Sequence, residues 1–526
     1  MKSRPQSDKT VLGWTANIAL SSPSLQDNRA DTDRLSHALQ REFGIEGIDI
    51  DLSMRKELPR LLRKSDYRLR CLVFQDQGRG VLIHAACDGD PAIMAGLAID
   101  LGTTRVVLRL VNLDSRVTLA EKSFENPQTR FGPDVLARIH HADRSGGLTQ
   151  LQQLIAEAVN LRLSQMCRAC GLTPQQIHLF TVAGNTAMSH LFAGLPAHWM
   201  IREPYIPAAN HFGLIPAALL GLTAAPHARV FIFPNVGSYL GGDLIAGILS
   251  TGMHMQCETA ILVDVGTNAE VVLGNKDWLM ACAGAAGPAL EGGMSRMGTT
   301  AAPGVIDRVR IDPQTLDFEV QTIGDLPPVG ICGSGVIDLA AQLFLAQMVD
   351  IRGKFRPETC GWRLTHRRGL AHLTIVAGDA SGTGKDLCIT QADMDSLVRS
   401  KAAMYTILET ITNVMGVMLK DLQVIYVAGT FGSLINPRSA ITIGMMPDLD
   451  LECYRAMGNT SLDGAAMALF NRGIVTEVEK IRDAITYLEL NVNQDFMNRF
   501  SAAKFIPHTH KDWFPSVRVA AGNASG

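Results

Sequence analysis

Two aspartates in this chain each end an apolar run and are followed by the same kind of turn. Asp100 stands in Ala98-Ile-Asp-Leu-Gly-Thr-Thr-Arg-Val-Val-Leu-Arg-Leu-Val111, and Asp264 in Leu262-Val-Asp-Val-Gly-Thr-Asn-Ala-Glu-Val-Val-Leu-Gly274. A carboxylate at the end of a buried strand is costly without a partner. The partner that fits is a divalent cation bridging phosphates, since Mg2+ takes few carboxylates and keeps several waters. Gly102 and Gly266 would let the backbone turn tightly and approach a phosphate. Thr103 and Thr104 in one copy, and Thr267 and Asn268 in the other, can donate to phosphate oxygens. A single Asp-x-Gly-Thr is an ordinary strand-turn sequence. Two copies 164 residues apart are too far apart for a solenoid unit and suit two related lobes, each with a phosphate-gripping hairpin.

Asp243 follows a Gly-Gly pair at an expected helix start. Aspartate caps helices well, but the position ahead of the second hairpin also suits a water-orienting or general-base carboxylate near a terminal phosphate. Gly330-Ile-Cys-Gly-Ser-Gly335 opens an apolar helix pattern. The amides of Gly333, Ser334 and Gly335 could meet a nucleotide at that positive helix end, or the glycines could serve a tight strand–helix connection. Gly429-Thr-Phe-Gly432 follows a buried strand, so Gly429, Thr430 and Gly432 would bring backbone near adenine or ribose. Ser381-Gly-Thr-Gly-Lys385 is not a P-loop: the first glycine is out of place, and Asp386 replaces the Ser/Thr that would hold Mg2+.

The elements that must position these groups alternate strand and helix patterns, which argues an α/β fold with functional loops at strand ends. Residues 1–30 are polar and aperiodic and are expected to be flexible. Residues 31–91 read as a small α/β domain, with a helix over Asp31–Phe43 and strands near Ile48, Tyr67–Phe74 and Gly80–Ala86. The first lobe is assigned to 92–255 and the second to 256–526. Small residues at Ala246, Gly247, Gly464, Ala465, Ala466 and Ala468 predict two helices crossing closely, a sensible place for a hinge.

Composition narrows the class. Of 526 residues 47% are apolar and 19% charged, enough for sizeable cores. A net charge of −3 provides no basic footprint for nucleic acid. The polar start lacks a signal-peptide stretch, and no run of membrane-helix length is free of charges and turn signals, so a cytoplasmic protein without membrane association is expected. The ten cysteines are scattered. Only Cys167 and Cys170 form a C-x-x-C pair, with no second pair or histidine to complete a zinc set.

In this order the motifs resemble the actin/sugar-kinase/heat-shock-chaperone (ASKHA) ATPase superfamily, which implies a two-lobed actin-like (RNase H-like) fold. Phosphate motifs lie at 98–104 and 262–268, an adenosine motif at 427–432, and connecting helices after 235–242 and at 464–470. Within that superfamily the chain is most similar to the reductive activators of corrinoid proteins. The similarity is carried by Gly184-Asn-Thr-Ala-Met188, Val236-Gly-Ser-Tyr-Leu-Gly-Gly-Asp243, Ala286-Gly-Pro-Ala-Leu-Glu-Gly-Gly293, Gly330-Ile-Cys-Gly-Ser-Gly-Val-Ile-Asp338 and the ending Phe505-Ile-Pro507 with Trp513-Phe-Pro515. It covers roughly 95–515, with a weaker echo of the family's linker region over 47–90.

The resemblance implies an enzyme that uses Mg-ATP to return a Co(II) corrinoid to Co(I) on a partner protein of a methyltransferase system. Asp100, Asp243 and Asp264 would organise Mg2+ and water, with Asp100 and Asp264 as the metal carboxylates, directly or through water. The family's electron arrives through an iron–sulfur domain. Here the first 70 residues hold no cysteine and none follows Cys453, so no fused cluster is expected. A separate ferredoxin or flavoprotein would deliver the electron. A cluster bridging two subunits through Cys167, Cys170 or Cys332 is the variant, and the resemblance also admits a homodimer. A small-molecule kinase on the same fold and a nucleotide-switched binding protein are the competing functions.

Overall fold

The structure, a computed structural model, describes residues 13–266, 269–284, 297–299, 301–490 and 494–518. Two compact units form: one from the chain up to Ser250 with Thr460–Ala484, the other from Thr251–Asn459 with the segment from Ile485. Among the described residues no helix is long and apolar enough to cross a membrane.

The first unit begins with β1 (Thr15–Ala19), α1 (Asp31–Phe43), β2 (Gly47–Ile50), α2 (Leu52–Lys64), β3 (Arg68–Asp76) and β4 (Arg79–Cys87). The strands form a sheet ordered β1-β3-β4-β2. Leu35, Leu39 and Phe43 on α1, and Met54, Leu58 and Leu62 on α2, recur every four residues and so make one buried stripe per helix. Gly44, at φ 66°, ends α1 in the left-handed conformation that glycine tolerates. β1 lies inside the segment expected to be flexible, and that expectation is corrected. Residues 15–19 pair antiparallel with β3. Trp14 is enclosed, packs at a tilt against Phe74 with ring centroids 4.2 Å apart and donates its indole N–H to the Ala468 carbonyl at 2.7 Å.

A second sheet follows, from β5 (Ala95–Leu101), β6 (Arg105–Asn112), β7 (Thr118–Glu125), α3 (Val135–Ala142), α4 (Gly147–Ala169), β8 (Ile177–Gly184), α5 (Thr186–Ala193), β9 (Leu214–Pro216), β10 (Arg229–Ile232) and α6 (Gly242–Thr251). Its order is β7-β6-β5-β8-β10-β9. β5 runs antiparallel to β6 and parallel to β8. Every residue of β8 is buried, as a parallel strand covered on both faces requires.

In the second unit come β11 (Ala260–Val265), β12 (Ala269–Gly274), β13 (Leu279–Gly284), β14 (Val305–Ile311), β15 (Phe318–Thr322), β16 (Gly330–Ile331) and α7 (Gly333–Leu345). They are followed by α8 (Pro357–Cys360), β17 (Leu364–Arg367), β18 (Leu370–Val376), β19 (Leu387–Thr390), α9 (Gln391–Val414), β20 (Val424–Ala428), α10 (Gly429–Leu434), α11 (Pro437–Thr442) and β21 (Tyr454–Gly458). The chain then supplies α12 (Thr460–Phe470) and α13 (Gly473–Ala484) to the first unit and returns as β22 (Ile485–Tyr487) and α14 (Gln494–Ala503). The main sheet is ordered β21-β20-β11-β12-β13-β22. Strands β7-β6-β5-β8-β10 of the first unit are therefore repeated as β13-β12-β11-β20-β21, with the same parallel and antiparallel neighbours. In α9, Lys401 is buried and donates to the carbonyls of Phe505 and Pro507; burial pushes its pKa well below the ordinary lysine value.

The chain does not divide at 255/256 alone. α12 packs on β5 and β8 because its small residues let it come close. A Cβ at Gly464 would run into the Ala246 carbonyl oxygen, so α12 and α6 cross backbone to backbone. Thr181 Oγ1 donates to the Ala465 carbonyl at 2.7 Å. The Gly464→Val variant should lose about 1–3 kcal/mol through overpacking, read as a lowered unfolding midpoint in denaturant. An unchanged midpoint would mean that the helices can separate without cost.

The N-terminal sheet meets the second one through paired rings. His84 on β4 and His178 on β8 lie 4.3 Å apart. His178 is 5% exposed, and its Nδ1 has no hydrogen-bond partner. Burial, helped by the nearby His84 and Arg70, pushes the His178 pKa down to about 3 from 6.5. Between those values the unfolded chain binds a proton that the folded chain refuses, so stability falls as pH drops, by at most about 1.4 kcal/mol per pH unit. The His178→Gln variant should show a shallower fall of the unfolding midpoint between pH 6.5 and 4. A slope equal to the parent's would exclude His178 as the titrating group.

Candidate functional site

In the first unit, β5 delivers Asp100 to the end of a strand flanked by Val107 on β6 and Ala183 on β8. The Gly102 turn is tight: a Cβ there would run into the Arg105 carbonyl oxygen. Asn126, fully buried, closes the turn from outside. Its Nδ2 donates to the Gly102 carbonyl at 2.9 Å and its backbone N–H to the Thr104 carbonyl at 2.8 Å. Thr103 is buried, and Thr104 is exposed.

Parallel pairing brings the end of β8 beside this turn, and Asn185 follows at once. Asn185 Oδ1 accepts from Met188 N and caps α5, while its Nδ2 donates to Thr103 Oγ1 at 3.0 Å. The Gly241-Gly242 pair is explained by space and not by φ. A Cβ at Gly241 would strike the Asn185 Cα and lie 2.6 Å from Asp243 Oδ1; one at Gly242 would lie 2.5 Å from the Phe233 Cβ. Asp243 sits in the first turn of α6, where its Oδ1 accepts from Leu244 N at 2.9 Å. Thr103 is thus tied to Asn185, and the Gly241 backbone passes close to both Asn185 and Asp243, at the end of the sheet where β5 delivers Asp100.

Two residues that sequence reasoning missed hold this edge. Asn185 stands within a stretch already noted for its family likeness, but its local pattern signals only a helix cap. Ser461, at the start of α12, donates to Asp100 Oδ1 at 3.0 Å. No local signal could find it, because the partner is 361 residues away. Two residues on, Asp463 accepts from Arg109 at 2.7 Å.

The second unit repeats the geometry with different neighbours. Asp264 lies between Glu270 on β12 and Ala428 on β20. Gly429, at φ +80°, leaves β20 in the left-handed region, and a Cβ there would be 3.2 Å from Asp264 Oδ1. Gly432 is constrained as well, since its Cβ would run into the Val427 carbonyl oxygen. Gly266 is half-buried beside Asp264; Thr267, Asn268, the Thr430 side chain and the stretch 285–296 lie outside the described residues.

Gly333, Ser334 and Gly335 form the buried first turn of α7. The contacts that fix this turn are structural. A Cβ at Gly335 would lie 2.5 Å from the Ile306 carbonyl oxygen, and Ser334 Oγ is 3.1 Å from Cys332 Sγ. Further along α7, Asp338 accepts from Val309 N at 2.7 Å and Ser439 Oγ at 2.5 Å, tying α7 to β14 and α11.

Of the cysteines named for a bridging cluster, Cys170 is half-buried. Cys167 and Cys332 are buried, and burial, with Cys170 alongside, pushes the Cys167 thiol up to about 11.

Three family profiles tile the chain: "RACo linker region" over residues 14–89, "RACo middle region" over 95–256 and "C-terminal domain of RACo the ASKHA domain" over 258–518. The corrinoid activation enzyme RamQ of Eubacterium limosum is 30% identical over 416 residues, spanning 77% of this chain and 69% of its own length. The Co(II) methylated amine-specific corrinoid protein reductase of Methanosarcina barkeri is 26% identical over 440 residues, spanning 77% and 76%. A solved structure described as a reductive activator for corrinoid, iron-sulfur protein superposes with a TM-score of 0.88 at 37% identity, covering 97% of this chain and 82% of that one. The chain therefore belongs to the RACo family of reductive activators of corrinoid proteins, with a mixed α/β, actin-like fold and an ASKHA domain at its C-terminal end.

Proposed function

We propose that this chain uses ATP to drive the one-electron reduction of a Co(II) corrinoid to Co(I) on a partner protein of a methyltransferase system. Family membership along the linker, middle and C-terminal regions carries the corrinoid part of the reading. The ATP part is supported by the duplicated sheet, which brings a half-buried aspartate and a glycine turn to equivalent strand ends.

Mg2+ and phosphate fit these residues. Gly102 has room for hydrogen alone, so the turn stays tight at that position. Asp100 and Asp264 are the metal-organising carboxylates, and Asp243 orients the attacking water. Asn185 holds the Thr103 hydroxyl for a phosphate oxygen, and Gly429 keeps backbone, without a side chain, beside Asp264. Bound Mg2+ supplies charge neutralisation at the phosphates. The protein's share is positioning and electrostatics. One electron per cobalt comes from a separate ferredoxin or flavoprotein.

The test follows the visible spectrum of a Co(II) corrinoid protein mixed with the chain, Mg-ATP and a low-potential donor. Co(I) should form only with ATP, and Asp264→Ala should slow it at least about 100-fold, the scale of losing one electrostatic catalytic group. Co(I) formation of equal rate without ATP would overturn the reading. Asn185→Ala should weaken nucleotide binding roughly 5- to 10-fold, the value of about one hydrogen bond, and cost about 1 kcal/mol of stability through the lost cap. Calorimetric titration with ATP and a denaturant melt read the two effects separately.

A further inference from the structure

Away from the two hairpins, three ionisable side chains from distant segments of the first unit converge. Asp76 ends β3, His211 precedes β9 and Glu479 lies on α13. One ligand atom from each lies within 4.8 Å of the other two. His211 Nε2 is 3.2 Å from Asp76 Oδ1, and the two side chains are only 21% and 11% exposed. Glu479 makes no hydrogen bond or close ion pair among the described residues. Arg482, one turn along α13, is engaged with Asp483, its Nε donating at 2.8 Å. Two partly buried carboxylates are thus gathered around one imidazole, and among the described residues neither pairs with a lysine or arginine. The Arg482 guanidinium acts on Glu479 and His211 only through space, and the Asp76 carboxylate raises the His211 pKa, so the negative charge gathered here exceeds what a neutral imidazole can balance.

We propose that Asp76, His211 and Glu479 bind a first-row divalent cation of the Zn2+ type, which ties the N-terminal sheet to the segment before β9 and to α13. One imidazole nitrogen with two carboxylate oxygens suits Zn2+ and its neighbours; Mg2+ and Ca2+ take oxygen ligands. Ligand atoms about 2.0–2.2 Å from a tetrahedral ion lie roughly 3.3–3.6 Å apart, and the Asp76–His211 spacing of 3.2 Å is close to the lower end. Glu479, which makes no hydrogen bond among the described residues and feels Arg482 only through space, closes the remaining gap by side-chain rotation. His211 Nδ1 now accepts from Gly213 N at 3.2 Å. Ligation through Nε2 releases that nitrogen's proton to solvent or moves it to Nδ1, where it replaces this one long hydrogen bond. The fourth position is left to water.

The test uses the full chain, stripped with a chelator and desalted, without nucleotide. Zn2+ affinity and stoichiometry are read by competition with a chromophoric chelator, and the unfolding midpoint with and without Zn2+. One Zn2+ per chain and a raised midpoint are expected. His211→Gln and Glu479→Gln should each weaken binding at least about 10-fold and abolish the rise in midpoint. Glu479→Gln retains the Asp76–His211 hydrogen bond, so it separates loss of a ligand from misfolding. Co2+ in place of Zn2+ should give ligand-field bands without sulfur charge transfer. Equal affinity in all three proteins, a sulfur-to-cobalt band or no saturable binding by the parent would each overturn the proposal.

Discussion

Holding a carboxylate half-buried at the end of an apolar strand costs free energy unless polar groups meet it. Both units satisfy that constraint with the same backbone plan. The aspartate strand is central, an antiparallel hairpin strand lies on one side, and a parallel strand ends level with the aspartate on the other. The parallel neighbour matters most, because its exit brings a new segment to the carboxylate's edge. After β8 that segment is Asn185 and the α5 cap; after β20 it is Gly429, in a conformation few side chains tolerate. Glycines at 102, 241, 242 and 429 remove side chains where backbone must pass within contact distance. The polar edge depends on these absences as much as on the aspartates.

The repeat made the plan readable from the amino acids. Asp100 and Asp264, their turns, the strand exits at 184 and 428, and the close helix crossing at Gly464 all carry local signatures, because tight turns and close approaches demand particular residue types. What stayed hidden depends on partners far along the chain. β1 reads as polar tail until Trp14 is seen against Phe74 and Ala468. Residues 460–484 read as a continuation of the second lobe, since periodicity reports a helix's apolar face and not what that face meets. The Gly333–Gly335 turn shows the reverse ambiguity. Its composition suits a phosphate cradle or a tight connection, and the contact with β14 accounts for Gly335 by packing.

Duplication also explains why the two aspartates are not equivalent. α6 follows β10 and α12 follows β21, so the helices occupy corresponding places in the repeat. Yet α12 packs on β5 and β8, against α6, in the first unit. Its first turn thereby reaches Asp100, which receives the Ser461 hydroxyl, while Asp463 takes the Arg109 guanidinium on the adjoining strand. Asp264 has instead the Gly429 backbone beside it. A hydroxyl donor steadies one Asp100 carboxylate oxygen in a fixed direction, and beside Asp264 the strand exit is a glycine, whose backbone passes where a Cβ would crowd the carboxylate. The asymmetry thus arises from one helix that follows the second sheet in sequence and packs with the first, and Gly464 permits it by letting two helix backbones touch.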